Sequence, residues 1–532
     1  MKRHQDNDRQ GNRLLRRCTA PVLLLAALLA GCGSGVGDQN NGSTIAAGTS
    51  IKVNAPADLT NISASDYNAN VNGLITGATL KRWKDDWLNQ RPPGITGKLV
   101  ILQVTTGEQV PVVPATIPAT TTCTGGYCYF QPVTSYPAVN NANPTNVLVF
   151  LAASAEWVMT RNNGVISTPS LVLDGPSIDA ELNKYGIDPV NDMIVIAQGT
   201  ANPGNVMSQG RAWLALHYWG VDATHLAILN GGNKWQVDSG AMTAADFSAT
   251  AATPPSLPAG TYSVKKLPVD NTALIANVGD MLSAVPSTDT SMKGTGVFLW
   301  DARTITQYSA GQMREANDGA AAGCGAVAYC NAAPAYDYMG SFQNNGSRQG
   351  HPNGALALNF INLLDATKGF SYKSKAQLAS YMNGEVDSKG YGVVDGSYKL
   401  VGAGNAYQPG DTVITYCETS YRAMITGIAS GVILGHPTRI YDGAMIEWNS
   451  LSNLPDSTGN NILPADSPWR TDVKSFFRPA SNASLVATRQ IINPYAPNAN
   501  ALVVLDKAYK TPAASSTSAP GGGAAPANPC GG

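Results

Sequence analysis

The stretch Thr412-Val413-Ile414-Thr415-Tyr416-Cys417-Glu418-Thr419-Ser420-Tyr421-Arg422 decides how this 532-residue chain is read. Thr412 to Thr415 is a short apolar, β-branched run, which predicts a buried strand. Ala423 to Leu434 is apolar and helix-like. Cys417 therefore sits at a strand-to-helix turn, where backbone N–H groups and the positive end of a helix dipole favour a thiolate. Arg422, five residues on, adds a fixed positive charge. The arrangement reads as a nucleophile cradle.

Three further segments turn the motif into a constellation. Phe298-Leu299-Trp300-Asp301-Ala302-Arg303 is an apolar strand ending in an acid and a base. Arg348-Gln349-Gly350-His351-Pro352-Asn353-Gly354-Ala355 reads as a turn. Arg439-Ile440-Tyr441-Asp442-Gly443-Ala444-Met445-Ile446-Glu447-Trp448 follows the cysteine segment, and its phrase has an earlier copy in Ala227-Ile228-Leu229-Asn230-Gly231-Gly232-Asn233-Lys234-Trp235.

Together these segments resemble the rhodanese (sulfurtransferase) family in its two-domain form. That family carries a strand ending in Asp-x-Arg, a Gly-His turn, a Cys-x4-Arg loop and a closing Asp-Gly phrase before an aromatic. All four occur here in family order between Phe298 and Trp448. Tyrosine phosphatases have one more residue between cysteine and arginine, so the loop length disfavours phosphate chemistry.

The resemblance implies an α/β fold: two rhodanese-like, doubly wound, mostly parallel sheet domains with large loop insertions. The implied order is a catalytically silent domain at 66–249, a linker at 250–265 and a catalytic domain at 266–455. In the silent copy, Asp192 to Ala197 reads as the matching strand and Gln198 stands where Cys417 stands. The strand Leu99-Val100-Ile101-Leu102-Gln103 has Gln where the family favours Asp. An amide cannot accept a sulfane sulfur.

The implied chemistry is sulfur transfer through a Cys417 persulfide, with Arg422 shaping the loop. Glu418, Thr419, Ser420 and Tyr421 line it. Arg303 and Arg348 match the family's substrate arginines and suit a small sulfur-containing anion such as thiosulfate or 3-mercaptopyruvate. Arg303 has an equal alternative, a structural ion pair with Asp301. A thiol or cyanide is the acceptor, and neither cofactor nor metal is needed. Glu418 and Tyr421 depart from both known loop patterns, and an acid beside the thiol works against a dianionic donor. Asp442 reads as ordering its own turn by local hydrogen bonds. The alternative reading is a non-enzymatic rhodanese scaffold that binds a protein partner in an envelope redox or surface complex.

The chain ends speak to location. Lys2, Arg3, Arg9, Arg13, Arg16 and Arg17 precede a short apolar run from Pro21 to Ala30, the pattern of an export signal. Leu29-Ala30-Gly31-Cys32 resembles a bacterial lipobox. Cleavage after residue 31 and lipidation of Cys32 would make an envelope lipoprotein, outer-membrane if the cell is Gram-negative. The leader carries six basic and two acidic side chains, so its loss moves the formal charge from −1 to −5. No basic stripe points to nucleic acid. Residues 32–65 read as a flexible tether, and 456–532 as an extension that is disordered after about 510. In an exported protein the close pairs Cys123/Cys128 and Cys324/Cys330 read as local disulfides rather than metal ligands.

Overall fold

The four strands legible in the sequence are the middle strand and one interior neighbour in each of two separate sheets. In the computed structural model the first half contributes β1 (Gly73–Ile75), β2 (Leu99–Thr105), β3 (Val147–Ala153), β4 (Met193–Ala197) and β5 (Leu226–Leu229). The second half contributes β6 (Ile275–Ala276), β7 (Val297–Asp301), β8 (Leu356–Ala357), β9 (Thr412–Tyr416) and β10 (Thr438–Tyr441). The structure describes residues 50–105, 126–132, 146–162, 167–251, 257, 261–286, 289, 291–309, 347–453, 476–478 and 501–511.

Both sheets are parallel at every pairing, and both share one strand order. The first runs β1-β5-β4-β2-β3 and the second β6-β10-β9-β7-β8. The internal duplication is thus a duplication of topology. Register makes the copies comparable residue by residue: Gln103 lies beside Ala197 as Asp301 lies beside Tyr416.

Helices cover both faces of each sheet, which is why the central strands read as unbroken apolar runs. On β2, Val100, Leu102 and Val104 face one cluster, while Leu99 and Ile101 face another. The second cluster holds Leu80 and Trp83 of α1 (Gly77–Asp85). The first also packs Ile178 and Leu182 of α2 (Gly175–Lys184) and Leu214 and Leu216 of α3 (Pro203–Tyr218). On the second sheet the outer face meets Met281 of α4 (Val278–Ala284).

The inner face meets Met424 and Ile425 of α5 (Tyr421–Gly427), which continues as wider π turns to Leu434. That inner cluster is shared: Val100 and Ile196 belong to the same core as Phe298 and Val413. The described residues accordingly belong to one compact unit. α6 (Ala444–Asn453) follows β10.

The N-terminal segment differs from its reading as free chain, and the C-terminal extension holds a docked helix. Residues 52–65, read as flexible tether, are pinned: Lys52–Val53 pairs with Val269–Asp270, and the amides of Asn61 and Ser63 donate to Gly431 and Ile433. Backbone bonding and burial of Leu59 give this segment a reason to be ordered that its polar composition hides. At the other end, α7 (Ala501–Lys510) docks on the first half. Asp506 accepts from both Arg161 nitrogens at 2.9 and 2.6 Å and from the Tyr218 hydroxyl at 2.6 Å.

The two halves also exchange arms. In the first half a hairpin of Met159–Asn162 and Ser167–Leu171 carries Ser170 at φ 62°. In the second, a hairpin of Leu364–Asp365 and Ser371–Tyr372 carries Phe370 at φ 54°. Each arm reaches the turn after the fifth strand of the opposite sheet. Val172 N–H donates to Asp442 Oδ2 at 2.6 Å, and Tyr372 N–H donates to Asn230 Oδ1 at 2.8 Å.

Candidate active site

β9 is the middle strand of its sheet, and Cys417 is the first residue beyond its carboxyl end. The thiol is free and only 1 % exposed. It packs with Ala302, Ala423 and Phe360. The loop turns into α5 through Ser420, which takes φ 63°, a left-handed conformation that costs a non-glycine residue about 1–3 kcal/mol. At the matching place in the first half α3 begins in the ordinary way, with Pro203 in its first turn and Asn202 Oδ1 accepting from Asn205 N–H at 2.9 Å.

The Ser420 hydroxyl does not cap α5; it donates to the Tyr441 and Asp442 carbonyls, at 2.7 and 3.0 Å. From the same turn Met445 N–H donates to Cys417 O at 3.0 Å and Ile446 N–H to Glu418 O at 3.1 Å. The cysteine loop is therefore laced to the turn after β10. N–H groups of the first turn of α5 have no carbonyl within the helix to bond, so they lie at its start beside the loop.

Glu418, Thr419 and Ser420 are buried with the thiol, while Tyr421 and Arg422 are half-buried. Arg422 Nη1 donates to Gln307 Oε1 at 2.7 Å, a neutral partner. Arg303 does not face open space. Its Nε and Nη2 bond Asp301 at 2.9 and 2.6 Å, its Nη2 also bonds the Gly350 carbonyl, and both side chains are fully buried. Burial would lower its pKa, but the Asp301 carboxylate outweighs that and holds it above the ordinary value. Of the two readings of Arg303, the geometry forms the structural ion pair.

Burial, followed by the Asp301 charge, pushes the Tyr416 phenol well above its ordinary pKa and keeps it protonated. Arg348 stands on Ser347–Gln349, paired with Phe476–Arg478; its side chain lies outside the described residues. Cys32, Cys123, Cys324 and Cys330 lie outside them altogether. Cys128 is buried and disulfide-bonded. Among the described residues no group of three or more metal-ligating side chains comes together.

At the corresponding place in the first half a buried amide is bonded in position. Gln198, buried after β4, donates through Nε2 to Gly369 O at 3.0 Å, and Gly232 N–H reaches the same carbonyl at 2.9 Å. Gln103 Nε2 donates to Cys128 O at 2.7 Å and Gln103 Oε1 accepts from Phe130 N–H at 3.1 Å. The copy has exchanged a charged framework for an amide one.

Asp442 departs from its reading as a local turn-former. Its Oδ1 takes Arg211 Nη1 at 2.6 Å, and its Oδ2 takes the arm's Val172 N–H, both from the other half. Arg211 is the buried partner of Asp442 to which the sequence reading gave no role. The signal was there: an arginine directly before the apolar run Ala212-Trp213-Leu214-Ala215-Leu216 must be paired where it is buried. His351, by contrast, is held in place by the Tyr308 carbonyl at 2.7 Å and by Asp289 at 3.2 Å.

The fold and site define a tandem α/β protein with one cysteine-bearing and one glutamine-bearing loop. No protein-family model and no curated protein matches the chain. Among solved structures it is similar to the Tum1 protein from Saccharomyces cerevisiae, at 13% identity and a TM-score of 0.41, over 71% of this chain and 95% of that one. It is similar to the anaerobic ergothioneine biosynthesis enzyme from Chlorobium limicola, at 12% identity and a TM-score of 0.40, over 71% and 68%. The 3-mercaptopyruvate sulfurtransferase from Leishmania major follows at 11% and 0.36, over 72% and 75%. Likenesses this distant carry no argument about chemistry, which rests on the residues themselves.

Proposed function

We propose that the chain is a sulfurtransferase of the tandem rhodanese type, working through a persulfide on Cys417. The observation that carries the reading is positional. A free cysteine stands at the carboxyl end of the central strand of one sheet, and glutamine stands there in the other. Open parallel sheets place their chemistry at that end.

In the forward step the Cys417 thiolate attacks the outer sulfur of a donor such as thiosulfate or 3-mercaptopyruvate. A sulfur–sulfur bond forms to Cys417 while the donor's bond to that sulfur breaks. Sulfite, or pyruvate after protonation, leaves with the electron pair. A thiol or cyanide then attacks the outer sulfur and releases Cys417 as thiolate. Backbone N–H groups at the start of α5 are suited to hold the terminal sulfur's negative charge. The Leu29–Cys32 phrase supports export and lipid attachment at Cys32, testable by labelling cells with a radioactive fatty acid and comparing Cys32→Ser.

A second reading, a scaffold that binds a protein partner, is favoured by the burial of Cys417 and by Glu418 beside it. Intact mass of the chain lacking residues 1–31, after exposure to each donor, separates the two. Gain of one sulfur that cyanide removes, absent in Cys417→Ser, supports transfer. No gain from either donor in folded protein with a reduced thiol favours the scaffold.

A further inference from the structure

Asn230 and Asp442 each accept a backbone N–H from the opposite arm, yet only Asp442 also meets an arginine. At the glutamine-bearing end the joint between the halves is made by a neutral amide. Burying an ion pair strips water from both charges, a cost that a joint alone does not require. The charge is confined to the end that holds Cys417.

Arg211 belongs to α3, in the half without the cysteine. Its side chain is fully buried; Nη1 bonds Asp442 at 2.6 Å and Nη2 bonds the Ser170 carbonyl at 2.8 Å. Its guanidinium carbon lies 5.8 Å from the centre of the Tyr421 ring, within the cysteine loop. Tyr421 is held from the same side, its hydroxyl accepting from Ser154 at 3.4 Å. Asp442 in turn begins the turn that contains Ala444 at φ 53°, an uncomfortable conformation for alanine. This turn receives the Ser420 hydroxyl and supplies the amides that hold the carbonyls of Cys417 and Glu418.

We propose that Arg211 is a positioning residue for the Cys417 loop, acting through Asp442 and the Tyr421 ring. The half without a cysteine then completes the site in the other half. Relaxing Arg211 frees the Asp442 turn, and with it the bonds that shape residues 417–420. The functional meaning rests on the reading of Cys417 as the reactive thiol.

The test uses two variants of the whole chain. Arg211→Lys keeps the charge but loses the planar fork and the face over Tyr421. The double variant Arg211→Met/Asp442→Asn removes both charges and leaves the amide that Asn230 already uses. Amide hydrogen exchange is followed by mass spectrometry, together with the rate of Cys417 alkylation by iodoacetamide across pH. Exchange in 417–422 and 443–447 is expected to quicken at least tenfold while β4 keeps its protection, and the pH midpoint of alkylation is expected to move. Should the lysine variant not fold, the neutral pair decides. Unchanged loop exchange with an unchanged midpoint overturns the proposal, as does a quickening shared equally by β4. Neither readout depends on sulfur transfer, so a wild-type chain that takes up no sulfur removes the persulfide reading and leaves this one to its own result.

Discussion

Val172 and Tyr372, two hundred positions apart, do the same job in opposite directions. Each follows by two residues a non-glycine at positive φ, and each offers its N–H to the side chain after the other half's fifth strand, at 2.6 and 2.8 Å. The halves therefore clasp one another by reciprocal arms around a shared core. The clasp is symmetric in backbone and asymmetric in charge, with the ion pair at the end that holds Cys417.

Truncating the two acceptors should reveal the difference. Asp442→Ala strands Arg211 as a buried unpaired charge, with an expected loss of about 3–5 kcal/mol. Asn230→Ala strands only a neutral N–H, with an expected loss of about 1–3 kcal/mol. Guanidinium unfolding of both variants measures the gap. Equal losses would mean that the ion pair adds nothing beyond the arm contact.

In the persulfide reading, installing a thiol in the glutamine-bearing loop should not create a second reactive site. Gln198 is buried against the Gly369 carbonyl, and the adjoining space is taken by Gln103 and the Cys128 backbone. Gln198→Cys is expected to take up no additional sulfur and to lose about 1 kcal/mol for the missing hydrogen bond. Uptake of two sulfurs per chain would show that residue identity, and not the packing around residue 198, sets the two loops apart.

The two central strands of each sheet were legible because both their faces are buried, which forces unbroken apolar runs such as Met193–Ala197 and Val297–Asp301. Cys417 was legible because a polar turn interrupts two apolar runs. The edge strands of the second sheet were not: Ile275–Ala276 and Leu356–Ala357 are two residues each, too short to show a period. Nor were the arms, whose contacts join a backbone N–H to a side chain 270 or 142 positions away. Arg303 shows the limit for charged residues, since an Asp-x-Arg phrase is compatible with both an anion site and the buried pair that forms.

Where α3 crosses α5, Gly210 has no room for a side chain. A Cβ there would stand 2.3 Å from Met424 Cβ. Gly210→Ala should cost about 1–3 kcal/mol through overpacking, read from the urea midpoint. Met424→Ala should not rescue it, because the obstructing atom is the Cβ that alanine retains. Rescue by Met424→Ala would place the conflict further out along the side chain.

Stability should fall as pH rises from about 4.5 to about 7, in part because of Glu181. Burial, with Glu156 adding to it against the opposing Lys184, raises the Glu181 carboxyl from 4.5 to about 7. The folded state keeps this proton where the unfolded chain has released it. The stabilisation is thus fully present below the unfolded value and is lost through the folded one, at most about 3 kcal/mol. Glu181→Gln removes the titration, so its stability relative to wild type should climb across that window and level off above it. A difference that is flat with pH in urea unfolding would exclude Glu181 as the source.

Arg303 and Arg422 flank the same loop and should respond in opposite ways. Arg303 is locked to Asp301 with neither side chain exposed, so Arg303→Met leaves a buried carboxylate and is expected to cost about 3–5 kcal/mol. Arg422 is half-buried and among the described residues holds a single neutral partner, Gln307, so Arg422→Met should cost only about 1 kcal/mol. In the persulfide reading the second change should nevertheless slow sulfur loading of Cys417 at least tenfold, because the cation beside the loop is gone. Thermal unfolding and single-turnover mass gain, measured on both variants, give the two axes. A stable Arg303→Met protein with a raised donor KM would restore that arginine to donor binding. An Arg422→Met protein that loads at the wild-type rate would remove Arg422 from the site.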